Sequence, residues 1–300
     1  MDSAIVSINL FGAVALLLFG LGLVRDGMQR AFGARLKAGL AAGTRSGCRS
    51  FFAGLIATIA LQSSTATALM VASFVERDLI LPRMAQVVLL GANVGTAMTA
   101  WIVALGLGWL SPLLLLSGVV VGRGSSNLRK GTDAALVGIG LMLLSLHLIG
   151  GATEPLHASA ALSVFLALLD NAWPVALIMS AALAVLASSS LAVVVLILSL
   201  AASGGISTGL LVVLVLGANL GGAVPPVLAT LHAAPSARRV ALGNLIVRAV
   251  GCLLALPLAI PANCSNYYPC RMTTYRSTRI SASISRWRSW LPPSPGRLPA

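Results

Sequence analysis

Apolar residues fall in long runs separated by short polar breaks. The runs cover about residues 4–24, 51–75, 84–107, 110–122, 134–151, 175–202, 209–231 and 240–260. Most approach the roughly 20 residues that carry a helix across a hydrocarbon core of about 30 Å. Neither a period of two nor a clean amphipathic period of 3.6 runs through them. That pattern predicts helices apolar on every side, as in a membrane bundle. Two runs depart from it. Gln62, Ser63, Ser64, Thr65 and Thr67 sit in the middle of 51–75, and Ser188, Ser189 and Ser190 in the middle of 175–202.

An internal repeat joins these departures. LLGANVGTAMTA (89–100) matches VLGANLGGAVPP (215–226), and LQSSTATALMV (61–71) matches LASSSLAVVVL (186–196). The spacing from first serine to GAN glycine is nearly equal, 63 to 91 and 188 to 217. Two motifs in one order at one spacing argue for duplication. In this register Ala187 stands where the first copy has Gln62, and Gly222 where it has Thr96.

Loop charges orient the copies. If 51–75 is a re-entrant hairpin, the basic stretches 25–49, 76–83, 123–133 and 232–239 share one side and the weakly acidic 152–174 lies on the other. Lysine and arginine mark the cytoplasmic side. If 175–202 is re-entrant too, the copies run in opposite senses. The expected fold is therefore an all-α integral membrane protein of inverted-topology repeats, each with a re-entrant helical hairpin and following transmembrane helices. Residues 1–260 form the transmembrane domain, with repeats at about 51–122 and 175–260. The N-terminus is expected outside, the loop 25–49 in the cytoplasm, and the chain in the cell membrane as a multi-pass protein. Asp2, and Arg25 and Arg30 after the first run, speak against a cleaved signal peptide.

Composition agrees. Hydrophobic residues make up 58% of the chain and charged residues 9%, too few to cover a soluble domain. The net charge of +13 sits largely in short loops, so nucleic-acid binding is not expected. Cys48, Cys252, Cys264 and Cys270 show no metal-ligand spacing, and His147, His157 and His232 read as interfacial or loop residues. From Pro261 onward the chain is rich in Arg, Ser and Pro. This tail is expected to be basic and disordered, or to follow a frameshift.

A cluster of neutral hydroxyls in an apolar segment is costly unless it lines a site. Hydroxyls and half-helix N-termini suit an oxyanion, and freed carbonyls suit Na⁺. The candidate substrate- and ion-binding residues are Gln62, Ser63, Ser64, Thr65, Asn93, Thr96, Ser188, Ser189, Ser190 and Asn219. Arg248, within a span, either snorkels to the surface or draws an anion inward.

QSSTATA with GANVGTA resembles the type II sodium/phosphate cotransporter family. The resemblance covers about residues 5–260. It implies Na⁺-coupled phosphate transport, with two QSS hairpins facing each other around the substrate. Gln62, Ser63 and Ser64 would match the first motif, and Ser188 and Ser189 the second. Ala187 and Gly222 depart from the pattern, so the second repeat reads as degenerate. Phosphate, Na⁺, the lipid bilayer and a second copy of the chain are the expected partners, with no other cofactor and no enzymatic activity. The alternative is a truncated or decayed paralogue that does not transport. An intramembrane serine enzyme is disfavoured, because no histidine or acid accompanies either serine cluster.

Overall fold

The computed structural model describes residues 3–43, 46–105, 107–123, 127–157, 160–202 and 206–264. The basic tail lies outside the described residues apart from its first four positions. Twelve α-helices follow one another among them: α1 Ser3–Gly43, α2 Gly47–Leu61, α3 Ser64–Glu76, α4 Pro82–Ala104, α5 Ser111–Val121, α6 Asn127–His157, α7 Ala160–Asn171, α8 Trp173–Leu186, α9 Ser190–Ala202, α10 Thr208–Gly221, α11 Val224–Ala229 and α12 Pro235–Cys264. No described residue is in a strand. Five helical stretches are long and apolar enough to cross a membrane, Ile5–Leu40, Pro82–Ala104, Leu128–Ala152, Thr208–Ala229 and Pro235–Pro257. The end of α7 and α8 could make a sixth, bent by 104° at Ala172. The protein is an all-α, multi-pass integral membrane protein. Large apolar side chains such as Phe11, Phe19, Trp101 and Leu254 stand exposed on its outside, where lipid replaces water as the solvent.

Several boundaries differ from the sequence reading. α1 does not stop near residue 24 but runs 41 residues in all, to Gly43, taking in most of the basic stretch. That stretch carries Ala, Leu, Arg and Lys and no proline, so nothing ends the helix. Much of the mixed region 152–174 is helical, in the end of α6 and in α7. The run 209–231 is divided after Gly221, because Pro225 and Pro226 lack the amide hydrogens that would continue α10.

Contacts between helices fix their directions. Gly91 of α4 lies against the carbonyl of Phe51 and Gly95 against that of Leu55, while Gly54 lies against Val88. Residue numbers rise together on α2 and α4, so the two run parallel. α3, between them, must lead back toward the side from which α2 sets out. The second half repeats this. Gly217 lies against the carbonyl of Leu177 and Gly221 against that of Ala181. Ser180 donates its hydroxyl to the Leu214 carbonyl. α8 and α10 are parallel, and α9 leads back. Elsewhere α1 and α6 are antiparallel, with Gly20 near Gly138 and Gly27 near Gly131. α4 and α12 are parallel, since Gln86 bonds the Val240 carbonyl and Asn93 bonds Asn244.

These contacts also correct the repeat register. Phe51, Leu55, Val88, Gly91 and Gly95 recur as Leu177, Ala181, Leu214, Gly217 and Gly221, a constant offset of 126 residues from 51 to 177 and from 91 to 217. At that offset Gln62 pairs with Ser188, Ser63 with Ser189 and Ser64 with Ser190. The sequence alignment is one residue out, and Ala187 does not occupy the glutamine position. Backbone geometry agrees, because Gln62 and Ser188 both take left-handed φ, 47° and 48°.

A side chain at Gly91 or Gly217 would meet a backbone carbonyl that cannot give way. Gly91→Ala and Gly217→Ala are each expected to destabilise the protein by about 1–3 kcal/mol. Thermal unfolding in detergent should show a lowered Tm for both and no change for Gly12→Ala, whose added methyl group meets nothing within 4 Å.

Candidate functional site

The two helix breaks are built alike. α2 ends at Gln62, whose left-handed conformation turns the chain out of the helix. Ser63 is extended and caps α3, its Oγ accepting from the Ala66 amide at 3.1 Å. α8 ends in a Schellman arrangement, in which the amides of Ser188 and Ser189 donate to the carbonyls of Val185 and Ala184. Ser189 Oγ then accepts from the Ala192 amide at 3.3 Å and caps α9. A left-handed residue other than glycine costs about 1–2 kcal/mol. Two of the three such residues among those described mark these breaks.

Within the first half, Thr67 ties the break to its own arms. Its hydroxyl donates to the Ser63 carbonyl and accepts from Thr58 on α2. Thr99 bonds back to the Gly95 carbonyl. Both hydroxyls are therefore committed to the scaffold.

The two breaks meet. Gln62, Ser63, Ser64, Thr65 and Thr96 from the first half and Ser189, Ser190 and Leu191 from the second line one small cavity of about 10 Å³, room for about one water molecule. The N-terminal turns of α3 and α9 both border it, so two sets of free amides and two helix dipoles favour negative charge there. Gln62 Oε1 is buried and has no hydrogen-bond partner. An acceptor left so is held at a cost of about 1–3 kcal/mol unless something donates to it or coordinates it.

Behind the lining lies a cation. Arg248 of α12 is 3% exposed, so it does not snorkel to the surface. Its Nε and Nη2 both donate to Asn93 Oδ1, at 2.9 and 2.6 Å. Nη1 donates to the Asn219 carbonyl at 2.8 Å, and Nη2 also to Ser64 Oγ at 3.1 Å. Asn93 is held in turn by its Nδ2, which donates to Asn244 Oδ1 at 3.1 Å. All of these acceptors are neutral, so the charge keeps its pull on an anion. One side chain thus joins both GAN segments and the first break.

Residues 16–151 match the model of the Na⁺/Pi-cotransporter family. Over 255 residues, 85% of this chain, it is 41% identical to YjbB of Salmonella typhimurium, named as a candidate inorganic phosphate export protein. Over residues 16–151 the chain is thus similar to the Na⁺/Pi-cotransporter family. That is a family of transporters and not a class of enzymes. YjbB of Escherichia coli K12 is likewise 41% identical over 251 residues, 83% of this chain. The chain spans about half the length of these two curated relatives, 47% and 46%. A Bacillus subtilis protein whose name assigns no function, YqeW, is 25% identical over 260 residues, 84% of this chain and 83% of its own length. No solved structure matches the chain at a significant level.

Of the ten residues singled out in this cotransporter-like chain, seven line the cavity: Gln62, Ser63, Ser64, Thr65, Thr96, Ser189 and Ser190. Asn93 acts one layer behind, as the seat of Arg248. Asn219 takes part through its backbone carbonyl. Ser188 is exposed and forms the break itself, its Oγ donating to the Val185 carbonyl at 3.4 Å. Sequence reasoning left Arg248 undecided and overlooked Asn244. Their spacing of four on one helix, polar among apolar residues, was the available signal.

Removing Asn93 strips two charge-assisted bonds from a buried guanidinium. Asn93→Leu is expected to cost about 3–5 kcal/mol. Asn93→Leu with Arg248→Met should cost less than the sum of the two single changes. A double-mutant cycle by denaturation in detergent checks this.

Proposed function

We propose that this chain carries inorganic phosphate across the cell membrane, through the cavity where the two helix breaks meet, with Na⁺ as coupling ion. The observation that carries the reading is the convergence of two serine-capped helix N-termini and a buried arginine on one lining. Preorganised amides, hydroxyls and a guanidinium suit a tetrahedral oxyanion. Gln62 Oε1 and the hydroxyls of Thr65 and Thr96 provide oxygens for a cation. The family and the names of the YjbB relatives support phosphate as cargo, and those names give outward movement as the direction.

The reading includes an inverted topology. α2 and α3 form a re-entrant hairpin from the cytoplasmic side, and α8 and α9 form one from the outside. Parallel packing of α2 on α4 and of α8 on α10 supports the two hairpins. The shared basic character of 25–49, 76–83, 123–133 and 232–239 supports the orientation. So does the bond from the Ala234 amide to Glu76 Oε1, which places two of these loops together. The cavity has room for one water, so the hairpin tips must part before phosphate enters. The alternative is a truncated or decayed, non-transporting paralogue, favoured by Ser188 in place of glutamine at the second break and by Gly222 in place of threonine.

Radiolabelled phosphate flux in proteoliposomes tests the transport reading. A Na⁺ gradient should drive flux, and Ser64→Ala and Ser190→Ala should each lower it by about tenfold or more. Thr132→Ala, on an exposed turn of α6, should leave it unchanged. Flux indifferent to Na⁺ and to both serine changes would sink the proposal.

Orientation has its own test. Cys48 is exposed at the start of α2. In a protein with Cys264 and Cys270 changed to serine, an impermeant maleimide should label Cys48 in inside-out vesicles and not in intact cells.

A further inference from the structure

Away from the helix breaks, a groove of about 420 Å³ opens between the end of α1 and the start of α2. Its walls are largely apolar. Leu36 comes from α1, and Phe52, Ala53 and Ile56 from α2. Gly39 lines it too, and a Cβ there would meet nothing within 4 Å. Phe52 and Ile56 are each 58% exposed, so the groove is open on an apolar outer face that lipid solvates. Its floor, Leu40 and Ala57, is buried and belongs to the packed core that α2 shares with α3 and α4.

Two charges interrupt this lining. Arg35 stands on the α1 wall and Arg49 on the α2 wall, both exposed. Neither pairs with a carboxylate among the described residues. Little negative charge is near in sequence either, since residues 25–49 hold six basic residues and one acid, Asp26. With 41 residues, α1 is about 60 Å long, roughly twice the hydrocarbon core. Its basic end therefore belongs at the level of the lipid headgroups. An apolar trough flanked by two unneutralised guanidiniums at that level matches an amphiphile with an anionic head. A free phosphate would gain nothing from Phe52 and Ile56, and a purely apolar chain nothing from the arginines. We propose that this groove binds one anionic phospholipid, its phosphodiester on Arg35 and Arg49 and an acyl chain against Phe52 and Ile56. By the orientation proposed above the lipid comes from the inner leaflet, but binding itself does not depend on that orientation. Seated on Leu40 and Ala57, the lipid braces the foot of the first hairpin.

The test is binding of radiolabelled phosphatidylglycerol to the purified full chain in a neutral detergent, against phosphatidylcholine as zwitterionic competitor. One phosphatidylglycerol should bind per chain, about tenfold or more tightly than phosphatidylcholine. Arg35→Gln with Arg49→Gln should weaken it by about 10- to 30-fold, each arginine beside an anionic lipid being worth roughly fivefold. Arg30→Gln with Lys37→Gln removes the same charge from exposed residues outside the groove, and should change binding by less than about twofold. Gly39→Leu keeps both arginines and fills the trough. It should weaken binding by about tenfold, and it decides the matter should the arginine variant not fold. Bound lipid should also shield Cys48, which lines the groove, from a maleimide, whereas inorganic phosphate and glycerol phosphate should not. Equal weakening by the two double changes overturns the proposal, as does unchanged binding in Gly39→Leu or equal binding of phosphatidylcholine. Shielding of Cys48 by inorganic phosphate overturns it in favour of a free anion.

Discussion

A guanidinium buried in an apolar bundle sets the terms for everything around it. Removing a charge from water costs several kcal/mol, and that cost is met only where donors find acceptors in good geometry. Arg248 has four such bonds, to Asn93, to Ser64 and to the Asn219 carbonyl. To supply them, α3, α4 and α10 must stand at fixed distances from α12. The requirement propagates outward. Asn93 needs Asn244 to hold its amide, and a side chain on Gly222 would meet Ser190 first and the guanidinium next. The position of both GAN segments follows from this one residue.

The helix breaks solve the opposite problem, that of putting donors at the same depth without adding charge. Ending a helix mid-core frees amides that apolar surroundings cannot satisfy. Serine at each cap takes up one amide, and the first turn of each helix borders the cavity. Thr58 meanwhile donates to Thr67, and Thr67 to the Ser63 carbonyl, so both hydroxyl hydrogens stay within the scaffold. Sites of this kind need apolar walls as much as polar tips, and the small size of Gly and Ala along α4 and α10 lets the walls close.

Much of this was legible in the chain. Apolar runs too long and too uniform for a soluble core announced the membrane, and polar centres within two of them announced the breaks. The duplication was visible in GAN and in the serines. The register was not. LQSS against LASSS aligns best by letters with Ala187 opposite Gln62, whereas helix packing aligns Gln62 with Ser188. Backbone carbonyls beneath Gly91 and Gly217 fix that register, and carbonyls leave no mark on a sequence. Arg248 was ambiguous for a related reason. Its meaning depends on which helix faces it, and Asn93 lies 155 residues away. The length of α1 was missed because a charged surface turn and a charged helix have the same composition.

The glycine contacts carry a mechanical consequence. With backbone seated on backbone, α2 cannot slide along α4, nor α8 along α10, without a steric collision at every turn. Each pair is a single lever. Any widening of the space between the tips must then come from swinging α3 and α9 about their junctions, and those junctions are Gln62 and Ser188. The two residues held in an uncommon backbone conformation are thus the natural pivots, and the arginine network is the catch that keeps the levers together at rest.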